Sequence, residues 1–159
     1  MLELPLNDPV VVSHVPYIIR RTVRWGDCDP SGIVHVSRYV DYAADSCEAW
    51  FKEVTGYHWN ALRREFGMAS PAVNLQLDFA HALMPEEQVD VTIDLDELSR
   101  STYRLGVGGC NSDGTLCFGG IYVGALVNIE SMKSVAIPAD FRDRMNAYLE
   151  ACDKARLEM

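Results

Sequence analysis

Two hydrophobic rhythms run through the chain. The first has a period of two. Val73, Leu75, Leu77 and Phe79 alternate with Asn74, Gln76 and Asp78, and Val89, Val91, Ile93 and Leu95 alternate with Asp90, Thr92, Asp94 and Asp96. Successive side chains of an extended chain point to opposite faces, so each run predicts a strand with one buried and one wet face, as in an antiparallel sheet. Tyr103, Leu105 and Val107 continue the pattern, and Asp113-Gly114 is a hairpin turn signal. Residues 116–129 read as a long strand, in which Gly119-Gly120 predicts a bulge or a bend. Near the start, residues 17–25 (YIIRRTVRW) put Ile19, Val23 and Trp25 on one side, with Arg21 interrupting that apolar face. This strand ends in the turn-rich GDCDPSG.

The second rhythm has spacings of three and four. Val40, Ala43, Cys47, Trp50 or Phe51, and Val54 share one face of a helix predicted over residues 37–54. Ser37 is the expected N-cap, Asp41 suits the first turn, and Gly56 is the expected stop. Residues 59–66 suggest a short helix before Gly67. Pro138 opens a last helix with Phe141, Met145, Leu149 and Cys152 on one face. Residues 1–15, with two prolines, read as an N-terminal arm with room for a short strand, and residues 16–159 as a single domain. The order β, α, four β, α makes an α+β fold, and the economical packing wraps an antiparallel β-sheet around the first helix.

Composition narrows the function classes. A chain of 159 residues is one domain, able to bury roughly 70% of its unfolded surface without a disulfide or metal staple. A net charge of −9 lacks the electrostatic footprint of a nucleic-acid binder, so an anionic substrate needs a local basic patch. Five cysteines, an odd number with no C-x-x-C pair, fit a reducing compartment. The N-terminus lacks a signal-peptide pattern, and no apolar run approaches the roughly 20 residues that span a bilayer. A cytoplasmic protein that binds neither membrane nor nucleic acid is expected.

The chemistry concentrates in residues 25–39, WGDCDPSGIVHVSRY. Asp27 and Asp29 sit two residues apart, between a strand and a helix N-terminus. Carboxylates this close can push one pKa up. A helix N-terminus offers free N–H groups and the positive end of a dipole, which suit an oxyanion developing on an attacked carbonyl. Asp and Gly clusters also serve simply as turns and caps, and the residues alone leave both readings open.

The segment G-D-C-D-P-x-G-I-V-x-x-x-x-Y resembles the active-site loop of 4-hydroxybenzoyl-CoA thioesterases and the related YbgC-type acyl-CoA thioesterases of the hotdog fold. Gly67 and Pro71, the Ser101-Thr102 pair, Asp113-Gly114 and Ile137-Pro138 fall where that family has similar features, so the resemblance covers about residues 17–145. It implies that Asp29 is the catalytic carboxylate and that the Val36 backbone N–H polarises the thioester carbonyl. It also implies that Arg100, Ser101, Thr102 and Lys133 lie near the CoA nucleotide and its phosphates. A homodimer or homotetramer with active sites at the subunit interface is implied too, and no cofactor beyond coenzyme A as part of the substrate.

The loop departs from the hydroxybenzoyl enzymes, which carry aromatic residues where this chain has His35 and Val36. Arg38 stands where relatives often have Asn or Ser. His35, Arg38 and Tyr39 are therefore expected to line or border the acyl pocket, which would admit another aryl group, a short acyl chain, or a charged one paired by Arg38. Asp29 could attack the carbonyl or deprotonate a water, and the residues do not decide between these. Two alternatives are a non-hydrolytic acyl-CoA or acyl-carrier binding protein and a hotdog hydratase or dehydratase. The paired His and acid motif expected of the second is not found. Asp45 and Glu48 read as surface charges on the helix, Tyr39 as core, and Cys28 as a small buried side chain. His14, His58 and His81 receive no role, and no metal site is expected.

Overall fold

The computed structural model describes residues 8–159. The spine of the molecule is α1 (Val36–Thr55), a helix of 20 residues. Its inward face carries Tyr39, Tyr42, Ala43, Cys47, Trp50 and Phe51, all buried, at the spacing that predicts the helix. Gly56 ends it in the left-handed conformation (φ 83°), as a C-terminal glycine does.

A six-stranded antiparallel sheet curls around this helix in the order β1-β2-β5-β6-β7-β4. The strands are β1 (Val10–His14), β2 (Tyr17–Thr22), β4 (Ala72–Phe79), β5 (Gln88–Leu98), β6 (Thr102–Asn111) and β7 (Leu116–Ala125). The alternation of β5 places Val89, Val91, Ile93 and Leu95 on the helix side, each at most 2% exposed. A short helix, α2 (Trp59–Phe66), leads to β3 (Met68–Ala69), which pairs with β8 (Val127–Asn128). The last helix, α3 (Ala139–Leu157), closes the open end of the core. Trp50 is completely buried between Tyr103 and Tyr148, with ring centroids 5.9 and 5.6 Å away. The Tyr148 hydroxyl donates to the Ile93 carbonyl (2.5 Å) and accepts from the Tyr17 N–H (2.8 Å), tying α3 to β2 and β5. This is the hotdog arrangement.

Several local expectations need correction. The helix cap lies two residues earlier than expected, at His35 rather than Ser37, so α1 begins at Val36 and Asp41 falls outside the first turn. Trp25 is 70% exposed, because β2 ends at Thr22 and the following 3-10 turn takes Trp25 out of phase with Ile19 and Val23. Val40 is exposed on α1. Val73 and Phe79 are exposed too, because β4 is the terminal strand of the sheet. The 116–129 strand divides into β7 and β8. Gly119 and Gly120 pair in register with both β4 and β6, and the irregularities of these ladders lie at Ala72/Asn74 and Gly109/Cys110. The arm read over residues 1–15 falls partly outside the described residues. Its described part includes β1, on the sheet edge beside β2.

Candidate active site

The turn between β2 and α1 is built by its own backbone. Asp29 N–H donates to the Ile33 carbonyl (3.0 Å), and Gly32 N–H to the Asp29 carbonyl (2.9 Å). Gly32 adopts φ 83°, which a side chain would strain. Outside the turn, Val34 N–H reaches the Leu83 carbonyl (3.0 Å) and His35 N–H the Asp27 carbonyl (2.9 Å), so the loop is locked to its neighbours before the helix begins.

Asp27 and Asp29 do different work here. Asp27 turns inward: its carboxylate accepts from the Tyr42 hydroxyl (2.8 Å) and the Arg24 N–H (3.1 Å). Asp29 faces a cleft. Its Oδ1 accepts from both the N–H (2.8 Å) and the hydroxyl of Ser31, and no partner for Oδ2 is found among the described residues. The Ser31 hydroxyl, then the Ser31 N–H, hold the Asp29 carboxyl below the usual carboxylate range, and His35 nearby adds to the effect. The expectation that the paired acids raise one pKa fails for Asp29, because those donors favour the charged form. Removing the Ser31 hydroxyl should therefore raise the Asp29 pKa. A reaction that needs the carboxylate is lost as pH falls through that pKa. The acidic limb of kcat/KM in Ser31→Ala is thus expected at higher pH than in wild type. An unmoved limb would show that Asp29 does not set it.

The start of α1 supplies one unengaged donor. Ser37 N–H donates to His35 Nδ1 (3.2 Å), and Arg38 N–H to the His35 carbonyl (2.9 Å). Among the described residues Val36 N–H has no partner, and it stands at the positive end of a helix of 20 residues. Asp29, His35, Val36 and Tyr39 line one cleft of about 410 Å³, with residues 79–82 as its other wall. Tyr39 is both core and cleft floor. It packs on Phe79 (5.1 Å) and Phe118 (5.3 Å), and its hydroxyl accepts from Leu83 N–H (3.2 Å). His81, given no role from the sequence, belongs to this wall.

Arg38 does not line the cleft. Its guanidinium lies 3.0 Å from Asp41 and 3.7 Å from Asp27, and it borders a separate polar cavity of about 270 Å³. Arg21, which interrupts the apolar face of β2, lies over the Tyr42 ring (4.8 Å) and beside Asp45 (3.7 Å) in that same cavity. Asp45 and Glu48 are exposed on α1. Cys28 is half-buried rather than buried, its Sγ directed at the Arg24 carbonyl.

Arg100, Ser101, Thr102 and Lys133 lie elsewhere in the chain. Ser101 and Arg100 are bound through their carbonyls to Leu126 N–H and Ile137 N–H, both 2.8 Å, which joins this turn to the loop carrying Lys133. Thr102 pairs with Ala125 at one end of β7, whereas Ala80 and His81 bond to Cys117 at the other. Eight residues of strand separate these ends by roughly 26 Å at 3.3 Å per residue.

Comparison with known proteins agrees with this architecture. The family model of the thioesterase-like superfamily matches residues 23–145. A protein of Aquifex aeolicus (strain VF5), provisionally named an esterase, is 29% identical over 91 residues, 57% of this chain and 70% of its own length. Two solved structures share the fold at lower identity. One is a Staphylococcus aureus protein in complex with CoA, 15% identical with a TM-score of 0.80, covering 91% of this chain and 87% of that one. The other is a mutant 4-hydroxybenzoyl-CoA thioesterase complexed with 4-hydroxybenzoyl-CoA, 17% identical with a TM-score of 0.75, covering 80% and 96% respectively.

Proposed function

The chain belongs to the thioesterase-like superfamily, and we propose that it hydrolyses an acyl-CoA to the free acid and CoA with Asp29 as the reacting carboxylate. One observation carries this reading. An ionised carboxylate with an unengaged oxygen and an unengaged helix-terminal N–H, that of Val36, share a single cleft. That pairs a nucleophile or base with an oxyanion donor, as acyl transfer requires. The thioester accepts attack, the tetrahedral oxyanion forms against Val36 N–H, and the carbon–sulfur bond breaks to release the CoA thiolate. If Asp29 attacks directly, the acyl group passes through a mixed anhydride that water then opens. If Asp29 instead deprotonates a water, that water attacks the carbonyl and the acid forms without an acyl-enzyme. The mechanism routes no step through a metal or a cofactor.

The phosphate-binding residues belong, in this reading, to a second copy of the chain. Within one copy Arg100, Ser101, Thr102 and Lys133 stand at the far end of the sheet from Asp29. Antiparallel pairing of two β4 edges sets the far end of one copy beside the cleft of the other. It also covers Val73 and Phe79, which a lone chain leaves 58% and 50% exposed. Arg100 and Lys133 then supply the local positive charge that the acidic chain needs for the CoA phosphates. No helix among the described residues is long and apolar enough to cross a membrane.

The test is free-thiol release from a panel of aryl-, branched- and straight-chain acyl-CoAs. Turnover of at least one class is expected. Binding of the panel without thiol release would contradict hydrolysis and favour a carrier or binding protein.

A further inference from the structure

The polar cavity of about 270 Å³ is walled by β2, the turn that carries Asp29, and α1. On its inner side Tyr42, 4% exposed, stacks against the Arg21 guanidinium (4.8 Å). Arg21 Nε and Nη2 are buried without a hydrogen-bond partner among the described residues, so the ring face and Asp45, 3.7 Å away, are what offset the charge. A cation buried on these terms is costly, and it holds the Tyr42 ring from one side. The hydroxyl of that ring donates to Asp27 Oδ2 (2.8 Å). Arg24 N–H donates to the same oxygen (3.1 Å), and Arg38 Nε lies 3.7 Å from Oδ1.

The Tyr42–Asp27 bond joins the two halves of the candidate site. Asp27 precedes Asp29 in the turn, separated from it only by Cys28. Tyr42 lies in the second turn of α1, the helix whose first residue, Val36, presents the unengaged N–H. The backbone already ties the base of the turn to the end of that helix, through His35 N–H on the Asp27 carbonyl (2.9 Å) and the Cys28–Val34 bridge. The side-chain bond adds a second attachment further along α1, and two attachments fix a direction where one fixes only a point. Resting on the reading that Asp29 and Val36 N–H carry the reaction, we propose that Tyr42, acting through Asp27, is a positioning residue that sets the separation of the carboxylate from the oxyanion donor. Tyr42 lines the polar cavity and not the cleft, so it acts without touching substrate. A misplacement of about 1 Å in reacting groups can cost about a hundredfold in rate. Binding draws on the whole ligand and depends less on this one separation.

The experiment measures kcat and KM for thiol release from an acyl-CoA that wild type turns over, together with the backbone amide NMR spectrum. The variants are Tyr42→Phe, Asp27→Ala, Asp27→Asn and the combination of Tyr42→Phe with Asp27→Ala. Tyr42→Phe keeps the ring against Arg21 and removes only the donor. Its kcat should fall by about tenfold or more with KM within about threefold of wild type. The Val36 and Asp29 amide resonances should shift while those of β5 and β6 hold. Asp27→Asn keeps an acceptor for the hydroxyl and should retain more of kcat than Asp27→Ala. Because the two side chains act through one bond, the combined variant should be no slower than the slower single one. A wild-type kcat in Tyr42→Phe, unmoved Val36 and Asp29 resonances, or losses that multiply in the combined variant would each overturn the proposal while leaving hydrolysis standing. Should wild type release no thiol from any acyl-CoA, the proposed hydrolysis falls, and the amide resonances alone decide whether the bond holds the turn to the helix.

Discussion

Gly120→Ala is expected to destabilise the protein by about 3 kcal/mol or more, far beyond the usual cost of a methyl group. A Cβ at this position would stand 1.9 Å from the Gln76 carbonyl oxygen and 3.0 Å from the Leu77 Cα. These are backbone atoms of β4, so no side-chain rotation relieves the clash. Either β4 moves off β7, losing ladder hydrogen bonds between residues 72–79 and their partners, or β7 bends away from β4 and strains its ladder with β6. Urea unfolding should show the loss directly, with a thermal midpoint lower by roughly 6–12 °C at 2–4 °C per kcal/mol. The same strand ends in Phe79 and leads to His81, so the variant should lose activity before it loses its fold. An unchanged midpoint would mean that β4 yields at little cost and that the wall of the cleft is less firmly held than described.

That glycine also marks where the sequence stops being legible. Its neighbour pair reads as a bulge, because glycine in a strand signals either irregularity or a close approach, and only the partner strand decides which. The interior of the sheet was readable. Val89, Val91, Ile93 and Leu95 alternate cleanly because β5 has a neighbour on each side and the helix beneath. β4 carries the same alternation, yet Val73 and Phe79 are exposed, since a period of two reports which residues share a face and not whether that face is covered. The helix register was readable from Ala43, Cys47, Trp50 and Phe51. Its first residue was not, because His35 caps α1 through Nδ1 and histidine is not among the preferred capping residues.

The candidate site divides in the same way. The loop of residues 25–39 is contiguous, so its motif could be read, and Asp29, His35, Val36 and Tyr39 do meet in one cleft. Arg38 follows in sequence but points to Asp41, since on a helix three residues' separation brings those two side chains together. His81 is brought to the cleft by the β4–β7 pairing and by the Tyr39 hydroxyl, contacts made across more than 35 residues that leave no local pattern. The turn of Arg100, Ser101 and Thr102 is hydrogen-bonded to the segment that carries Lys133, at the other end of β7 from the wall of the Asp29 cleft, a separation that only the strand order reveals.

The reading turns on whether Asp29 does chemistry or merely shapes its turn. Asparagine separates the two roles. In Asp29→Asn the amide oxygen can still accept from Ser31 N–H, so the loop and the thermal midpoint should be preserved, but the side chain can neither attack a carbonyl nor take a proton. The decisive measurement is thiol release in a single turnover, with enzyme in excess over an acyl-CoA that wild type hydrolyses and with substrate affinity measured separately. The account predicts that the variant binds the ester with an affinity within a few-fold of wild type and releases thiol about a hundredfold more slowly or less. Release at the wild-type rate from a folded Asp29→Asn protein would contradict it, and Asp29 would then be a turn residue beside a reaction carried by another group.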